Sequence, residues 1–238
     1  LGYREDGNYY AYIETLGGGM GASTQGDGPD GVQVHITNTS NLPVEALELE
    51  YPMLVERYEF APDSGGAGRH RGGLGIIRQY RVLTDDVRVR TKGDRNVIAP
   101  WGLQGGHSGG RSRVVRNVDT SHEQELTPKE YDLLLKAGET LLIVTPGAGG
   151  YGPPSERARG AVIRDVQEGK VSPEVATDLY GLRPEDLPGM VSRYSSLEMP
   201  VSILFGRDDP VLDPEAQGEA FVAAVPGADL TLIDGGHM

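Results

Sequence analysis

The spacing of apolar residues changes along the chain. Val32, Val34 and Ile36 alternate with Gln33, His35 and Thr37, the two-residue period of a half-buried strand. Residues 76–83 and 87–91 read as further strands, with Asp85-Asp86 as the turn between them. The apolar run 141–144 follows the turn Lys136-Ala137-Gly138-Glu139 and predicts a short buried strand, while residues 127–135 fit a brief helix. From residue 155 the period becomes helical. Ala161, Val162, Asp165 and Val166 fit one helix that ends at Gly169. A second helix follows, with Ser172 as N-cap, Pro173 at the first position, an apolar stripe of Val175, Ala176, Leu179 and Tyr180, and Gly181 at its end. Arg183-Pro184-Glu185-Asp186-Leu187-Pro188-Gly189 reads as linker. Beyond it the order is strand 201–205, helix 215–225 and strand 230–233. The expected class is α+β: a β-rich domain with many Gly loops, two short helices, then a small β-α-β tail.

Composition sharpens this division. Glycine makes up 35 of 238 residues, of which 29 precede residue 183. They follow no tripeptide period and cluster between apolar runs, so they predict tight turns and special backbone angles in a folded protein. Net charge is −13, and residues 183–238 alone hold 10 acidic and 3 basic side chains. An acidic chain without a basic stripe does not point to nucleic acid or to an anionic membrane surface. No apolar run approaches the length of a membrane span. Without cysteine there is neither disulfide nor thiolate metal site. No signal peptide is expected from these residues, and because the chain begins with Leu1 rather than Met, its N-terminus is expected upstream. The expected location is cytoplasmic.

Several short motifs resemble catalytic signatures but lack their context. Gly147-Ala148-Gly149-Gly150-Tyr151-Gly152 matches G-x-G-x-x-G, yet Pro153-Pro154 follows, and no second parallel strand with an acidic end comes about 20 residues on. Gly17-Gly18-Gly19-Met20-Gly21-Ala22 is a second match without a helix behind it. Gly106-His107-Ser108-Gly109-Gly110 matches the G-x-S-x-G nucleophile elbow. An elbow needs a strand before the serine and a helix after it, and neither flank fits, so Ser108 is expected to be a loop residue. No histidine spacing suggests zinc, so no metal site is assigned. His35, with Asn38 and Glu45 nearby, lies on the polar side of its expected strand. That side lines a substrate cleft or serves as a hydrogen-bonded structural face.

Larger blocks carry a resemblance. IETLGGGMGA (13–22), ITNTSNLPVEALELEYPMLVERYEFAPDSGGAGRHRGGLG (36–75), PWGLQGG (100–106) and TPGAGGYGPP (145–154) together resemble the C-terminal part of the hydantoinase B/oxoprolinase family. Such proteins are parts of ATP-dependent cyclic-amide hydrolases, such as 5-oxoprolinase and N-methylhydantoinase. Related subunits serve acetone and acetophenone carboxylases. The resemblance implies a hydantoinase A-type partner that carries the ATP site, with ATP and a divalent metal in the complete complex and no cofactor in this chain. Phosphorylating the amide oxygen of an unstrained lactam creates a leaving group, and the ring then opens. The family's metal-ligand motifs, rich in Asp and His, lie in an N-terminal half that this chain lacks.

Residues 197–238 instead resemble the end of an α/β-hydrolase. Gly206-Arg207-Asp208-Asp209-Pro210 after a strand matches the acid turn, and Gly235-Gly236-His237 the histidine loop. The resemblance makes Asp209 the triad acid and His237 the general base, without a valid serine elbow before them. The expected organisation is therefore a hydantoinase B-like fragment over 1–182, a linker over 183–196 and a partial hydrolase-like segment over 197–238. Cyclic-amide hydrolysis with a partner leads the functional readings. The alternatives are a carboxylase-type subunit, an esterase-like hydrolase and a non-catalytic interaction subunit.

Overall fold

The computed structural model describes residues 1–4, 6–34, 37, 39–127, 129–183, 202–206, 222 and 227–233. Two compact units divide the chain, Leu1–Leu182 and Arg183–Met238. Strands and loops dominate the first, and the class is α+β.

Two short strands, β1 (Gly2–Tyr3) and β2 (Tyr9–Tyr10), form a hairpin. Helix α1 (Val44–Glu50) is followed by β3 (Met53–Phe60) and β4 (Ile76–Val82). Next come β5 (Val87–Val89), β6 (Arg113–Arg116), β7 (Gln124–Glu125), β8 (Leu133–Leu135) and β9 (Thr140–Val144). The main sheet is antiparallel in the order β3-β4-β9-β6-β7, while β5 pairs with β8 separately. Val82, Val87, Val114, Leu126, Leu135 and Leu141 form one buried cluster, so the β5–β8 pair packs on the main sheet. Tyr10, Leu47, Met53 and Tyr80 form a second.

Strand β4 lies between β3 and β9, and its interior position explains its burial. Ile76, Arg78, Tyr80 and Val82 share one face; Ile77, Gln79 and Arg81 share the other. A bulge between Val55 and Arg57 makes Glu56 the extra residue of β3. Its carboxylate accepts from Gln79 Nε2 at 2.6 Å and from Arg81 Nε at 2.5 Å, which satisfies the polar groups of the second face.

The Gly-rich loops stack backbone on backbone. A Cβ on Gly147 would stand 1.8 Å from the Ser64 carbonyl oxygen, one on Gly72 1.9 Å from that of Ala148, and one on Gly149 1.9 Å from that of Trp101. Hydrogen bonds cross the same contacts: Ala148 N–H donates to Gly73 at 2.9 Å, Gly73 N–H to Met20 at 2.9 Å and Gly66 N–H to Ala148 at 2.8 Å. No side chain fits there, which explains the glycine excess.

Helices α2 (Arg159–Gln167) and α3 (Pro173–Tyr180) follow these loops. The expected caps are present: Ser172 Oγ accepts from Val175 N–H at 3.2 Å, and Gly181 closes α3 with φ 66°. In the second unit, β10 (Ser202–Gly206) and β11 (Asp229–Ile233) pair in parallel. The helix expected over 215–225 falls outside the described residues except Val222.

Two expected elements differ. Among the described residues of the strand expected over 32–37, only a single bridge forms, Val32 to Gly18, and Val34 is exposed. Local bonds replace a ladder, because Gln33 Nε2 donates to the Thr15 carbonyl at 2.7 Å and Thr37 Oγ1 to the Val34 carbonyl at 2.7 Å. Residues 133–135, expected to end a helix, form β8, because Leu135 is fully buried in the cluster with Val87 while Leu134 points outward. The strands expected over 76–83 and 87–91 are β4 and β5, which end at Val82 and Val89 and belong to separate sheets, with Asp86 at φ 59° between them.

Candidate functional site

After Tyr10, the last residue of β2, the segment Ala11-Tyr12-Ile13-Glu14-Thr15-Leu16 runs extended without a ladder partner among the described residues. Tyr10, Tyr12, Glu14 and Leu16 turn inward, whereas Ala11, Ile13 and Thr15 are exposed. A carboxylate thus takes an inward position among aromatic and apolar neighbours. Its partners come from β4 and from the loop before α1. The Tyr80 hydroxyl donates to Glu14 Oε2 in a short hydrogen bond, and Asn41 Nδ2 donates to Oε1 at 2.9 Å. Arg78 Nη2 stands 3.4 Å from Oε1, with its side chain fully buried. The Tyr58 hydroxyl closes the ring by donating to Asn41 Oδ1 at 3.2 Å.

This cluster borders a cavity of about 460 Å³. Met53, Val82, Val87, Leu141 and Ile143 give it apolar walls, and Tyr12, Glu14 and Tyr80 supply polar groups. Burial and the adjacent Glu14 carboxylate push the Tyr12 and Tyr80 phenols well above their ordinary range, so both stay protonated donors. The Tyr12 hydroxyl stands beside the Glu14 carboxylate, and Arg78 Nη1 is buried with no hydrogen-bond partner among the described residues. The alternation Tyr-x-Tyr-x-Glu-x-Leu is the sequence signal for this segment, and the central Glu14 interrupts an otherwise apolar inward stripe.

A second polar cluster is a structural tie. Arg157 donates to both oxygens of Asp27, at 2.6 and 2.7 Å, and to Asp165 Oδ2 at 2.7 Å. Arg71 Nη1 donates to Asp30 Oδ1 at 2.9 Å. Burial alone would raise Asp27 and Asp30, but bonds from Arg157 and Arg71 outweigh it and hold both carboxyls below their usual range. Every carboxylate here faces a cation, and the cluster joins α2 to the Gly-rich loops.

Of the site residues read from the sequence, His35, Asn38, Asp209 and His237 lie outside the described residues. Glu45 is exposed in the first turn of α1. Ser108 is exposed in a loop, with neither strand nor helix adjoining it. The loop 147–152 does not fit a nucleotide. Its N–H groups at Gly147, Ala148, Gly150, Tyr151 and Gly152 donate to carbonyls of Gly110, Gly73, His107, His70 and Leu103, leaving none of these five for a phosphate. Among the described residues no three His, Asp or Glu side chains converge on a metal-sized site, so none of them is assigned to a metal.

The sequence model of the hydantoinase B/oxoprolinase family matches residues 1–154, and the chain belongs to that family. An uncharacterized protein of Methanocaldococcus jannaschii is 42% identical over 168 residues, covering 70% of this chain and 29% of that one. The putative B subunit of a D-/L-hydantoinase from Pseudomonas sp. (strain NS671) is 34% identical, covering 75% of this chain and 30% of its own length. The chain therefore spans about a third or less of these relatives. The crystal structure of ATP-dependent caprolactamase from Pseudomonas jessenii has a TM-score of 0.60 and 29% identity, covering 70% of this chain and 30% of that one.

Proposed function

We propose that residues 1–182 are the C-terminal part of a hydantoinase B-type subunit whose complete protein opens a cyclic amide with ATP. The observation that carries this reading is the likeness to the ATP-dependent caprolactamase, in which fold and sequence agree over the same 70% of the chain. The relative from Pseudomonas sp., named as one subunit of a hydantoinase, supports assembly with a second, hydantoinase A-type subunit that carries ATP. Since the Gly-rich loop 147–152 is filled by backbone, ATP is assigned to that partner, and any divalent metal to parts of the complex outside the described residues. A cytoplasmic location belongs to the same proposal.

Co-expression of a full-length version with a hydantoinase A-type protein tests it. Formation of ADP with opening of 5-oxoproline, hydantoin or caprolactam is the expected result. Carboxylation of a ketone would instead assign the chain to carboxylases, and a stable complex without turnover would make it an interaction subunit. Either result would overturn the proposal.

Residues 183–196 are proposed as a linker and 197–238 as a hydrolase-like segment, with Asp209 and His237 lacking a serine partner. The parallel pairing of β10 with β11 supports this. Leu182 is buried and its N–H donates to the Ala176 carbonyl at 3.0 Å, which supports a boundary just after it. Residues 1–183 alone should show the same cooperative melting transition for that unit as the full chain.

A further inference from the structure

The chain holds a single tryptophan, Trp101, and displays it. It lies in the loop 90–112 between β5 and β6, where Val97, Ile98, Trp101 and Leu103 are 74, 66, 62 and 54% exposed. A connection of this length with no helix or strand of its own is commonly functional in a compact domain. The loop is not slack. Leu103 N–H donates to the Gly150 carbonyl at 2.9 Å, Gly109 N–H to that of Pro100 at 2.8 Å and Ser112 Oγ to that of Asp94 at 2.6 Å. The Trp101 carbonyl packs so closely on Gly149 that no Cβ fits between them. Arg95 and Gln104 hold left-handed φ values of 63° and 52°, which residues other than glycine keep only where the surroundings fix them. Four apolar side chains are thus held out to water by a fixed backbone, an arrangement that lowers the entropy cost of binding.

The charge around these side chains indicates what covers them. Residues 92–113 hold four cations, Lys92, Arg95, Arg111 and Arg113, against one carboxylate, Asp94, in a chain of net charge −13. Arg113 pairs with Glu125, and Asp94 with Lys129. Lys92, Arg95 and Arg111 have no carboxylate partner among the described residues. The Arg95 guanidinium lies 4.8 Å from the centre of the Trp101 ring, and Arg111 Nη1 donates to the Val97 carbonyl at 3.5 Å, so two of these cations border the apolar side chains. A second copy of this chain docking symmetrically through the same loop would set the cations against themselves. Tryptophan and arginine together are enriched where protein surfaces bind most strongly. We propose that the loop docks a different protein, the second subunit of the complex, at a surface whose apolar recess takes Ile98 and Trp101 and whose carboxylate rim meets Arg95 and Arg111. The choice of the second subunit rests on the subunit reading above; the apolar and basic character of the loop is independent of it.

Incorporation of 5-fluorotryptophan places one fluorine label in the chain, at Trp101. Titration with unlabelled hydantoinase A-type protein should shift or broaden that resonance to saturation. Ile98→Asp puts a charge into the apolar centre and should weaken binding about tenfold or more, with the melting temperature unchanged because the side chain is exposed. Arg95→Glu with Arg111→Glu should slow association about tenfold and remove its salt dependence. A resonance that does not respond to the partner would overturn the proposal, as would unaltered binding by Ile98→Asp or by the charge-reversed variant. In a labelled full-length subunit without its partner, the Trp101 resonance, assigned with Trp101→Phe, should still respond to exchange of light for heavy water. Loss of that response would show that the rest of the same subunit covers the loop, and would overturn the proposal too. If the complete complex forms while Trp101 stays unperturbed, the surface assignment falls and the subunit assignment stands. If Trp101 responds to the partner and the complex opens no ring, the surface assignment stands and the cyclic-amide reading falls.

Discussion

The Arg78 guanidinium lies 4.0 Å from the centre of the Tyr58 ring, and the same two residues are direct cross-strand partners in β3 and β4. The pairing holds the cation flat against an aromatic face while Glu14 balances its charge. Arg78→Met alone leaves the Glu14 carboxylate buried without its cation and should cost about 3 kcal/mol. Arg78→Met with Glu14→Gln should recover most of that loss. Urea denaturation of both variants measures the coupling; simple additivity would show that the two do not act as a pair.

Glu139 carries a testable pH dependence. Burial would raise its pKa, but bonds from Arg116 at 2.5 and 2.6 Å, Asn117 at 2.9 Å and the Lys136 N–H at 2.8 Å outweigh burial and bring it from 4.5 to about 2. The folded value lies below the unfolded one. Its stabilisation is therefore complete above pH 4.5 and lost as pH falls through about 2. Glu139→Gln should flatten the stability profile between those pH values, and carboxyl carbon NMR should report the low titration directly.

The stacked loops predict opposite outcomes for one substitution. Gly149→Ala would place a Cβ 1.9 Å from the Trp101 carbonyl oxygen and should prevent cooperative folding. Gly160→Ala, in α2 with nothing within 4 Å of the new methyl, should stabilise by about 0.5–1 kcal/mol. Melting curves distinguish them, and tolerance of Gly149→Ala would contradict the packing described.

Arg157 ties α2 to Asp27 across 130 residues of sequence. Arg157→Leu leaves Asp27 and Asp165 without that cation and should destabilise by about 3 kcal/mol. Hydrogen exchange should accelerate in α2 and α3 more than in β4 and β9. Uniform acceleration would mean that the helices are not a separable layer.

Ser108 should not react as a nucleophile. A fluorophosphonate probe followed by peptide mapping is expected to leave it unlabelled, and stoichiometric labelling there would reverse this reading.

Periodic segments and caps were legible from sequence. Ser172, Pro173 and Gly181 bracket α3 because capping is local chemistry. Strands β4 and β9 follow from their apolar residues. Strand β3 was missed, since its residues from Arg57 to Phe60 are exposed and its bulge at Glu56 breaks the two-residue period. The candidate site was only partly legible, for a different reason. In sequence Glu14, beside a glycine turn, reads equally as a turn acceptor or a site acid, and only tertiary pairing with Tyr80, Asn41 and Arg78 places it in a cavity wall. The alternation at 32–37 gives no ladder among its described residues, because period alone does not supply a neighbouring strand.

The glycine contacts also bear on how the chain folds in time. Gly19, Gly73 and Ala148 meet although they are far apart in sequence, and none brings a side chain large enough to hold an early hydrophobic encounter. Each loop must be closed before the contact returns any stabilisation, and that entropy cost comes first. The stack should therefore assemble late, after the sheet has fixed the loop ends, as a single cooperative step. Mutations within it would then accelerate unfolding far more than they slow folding.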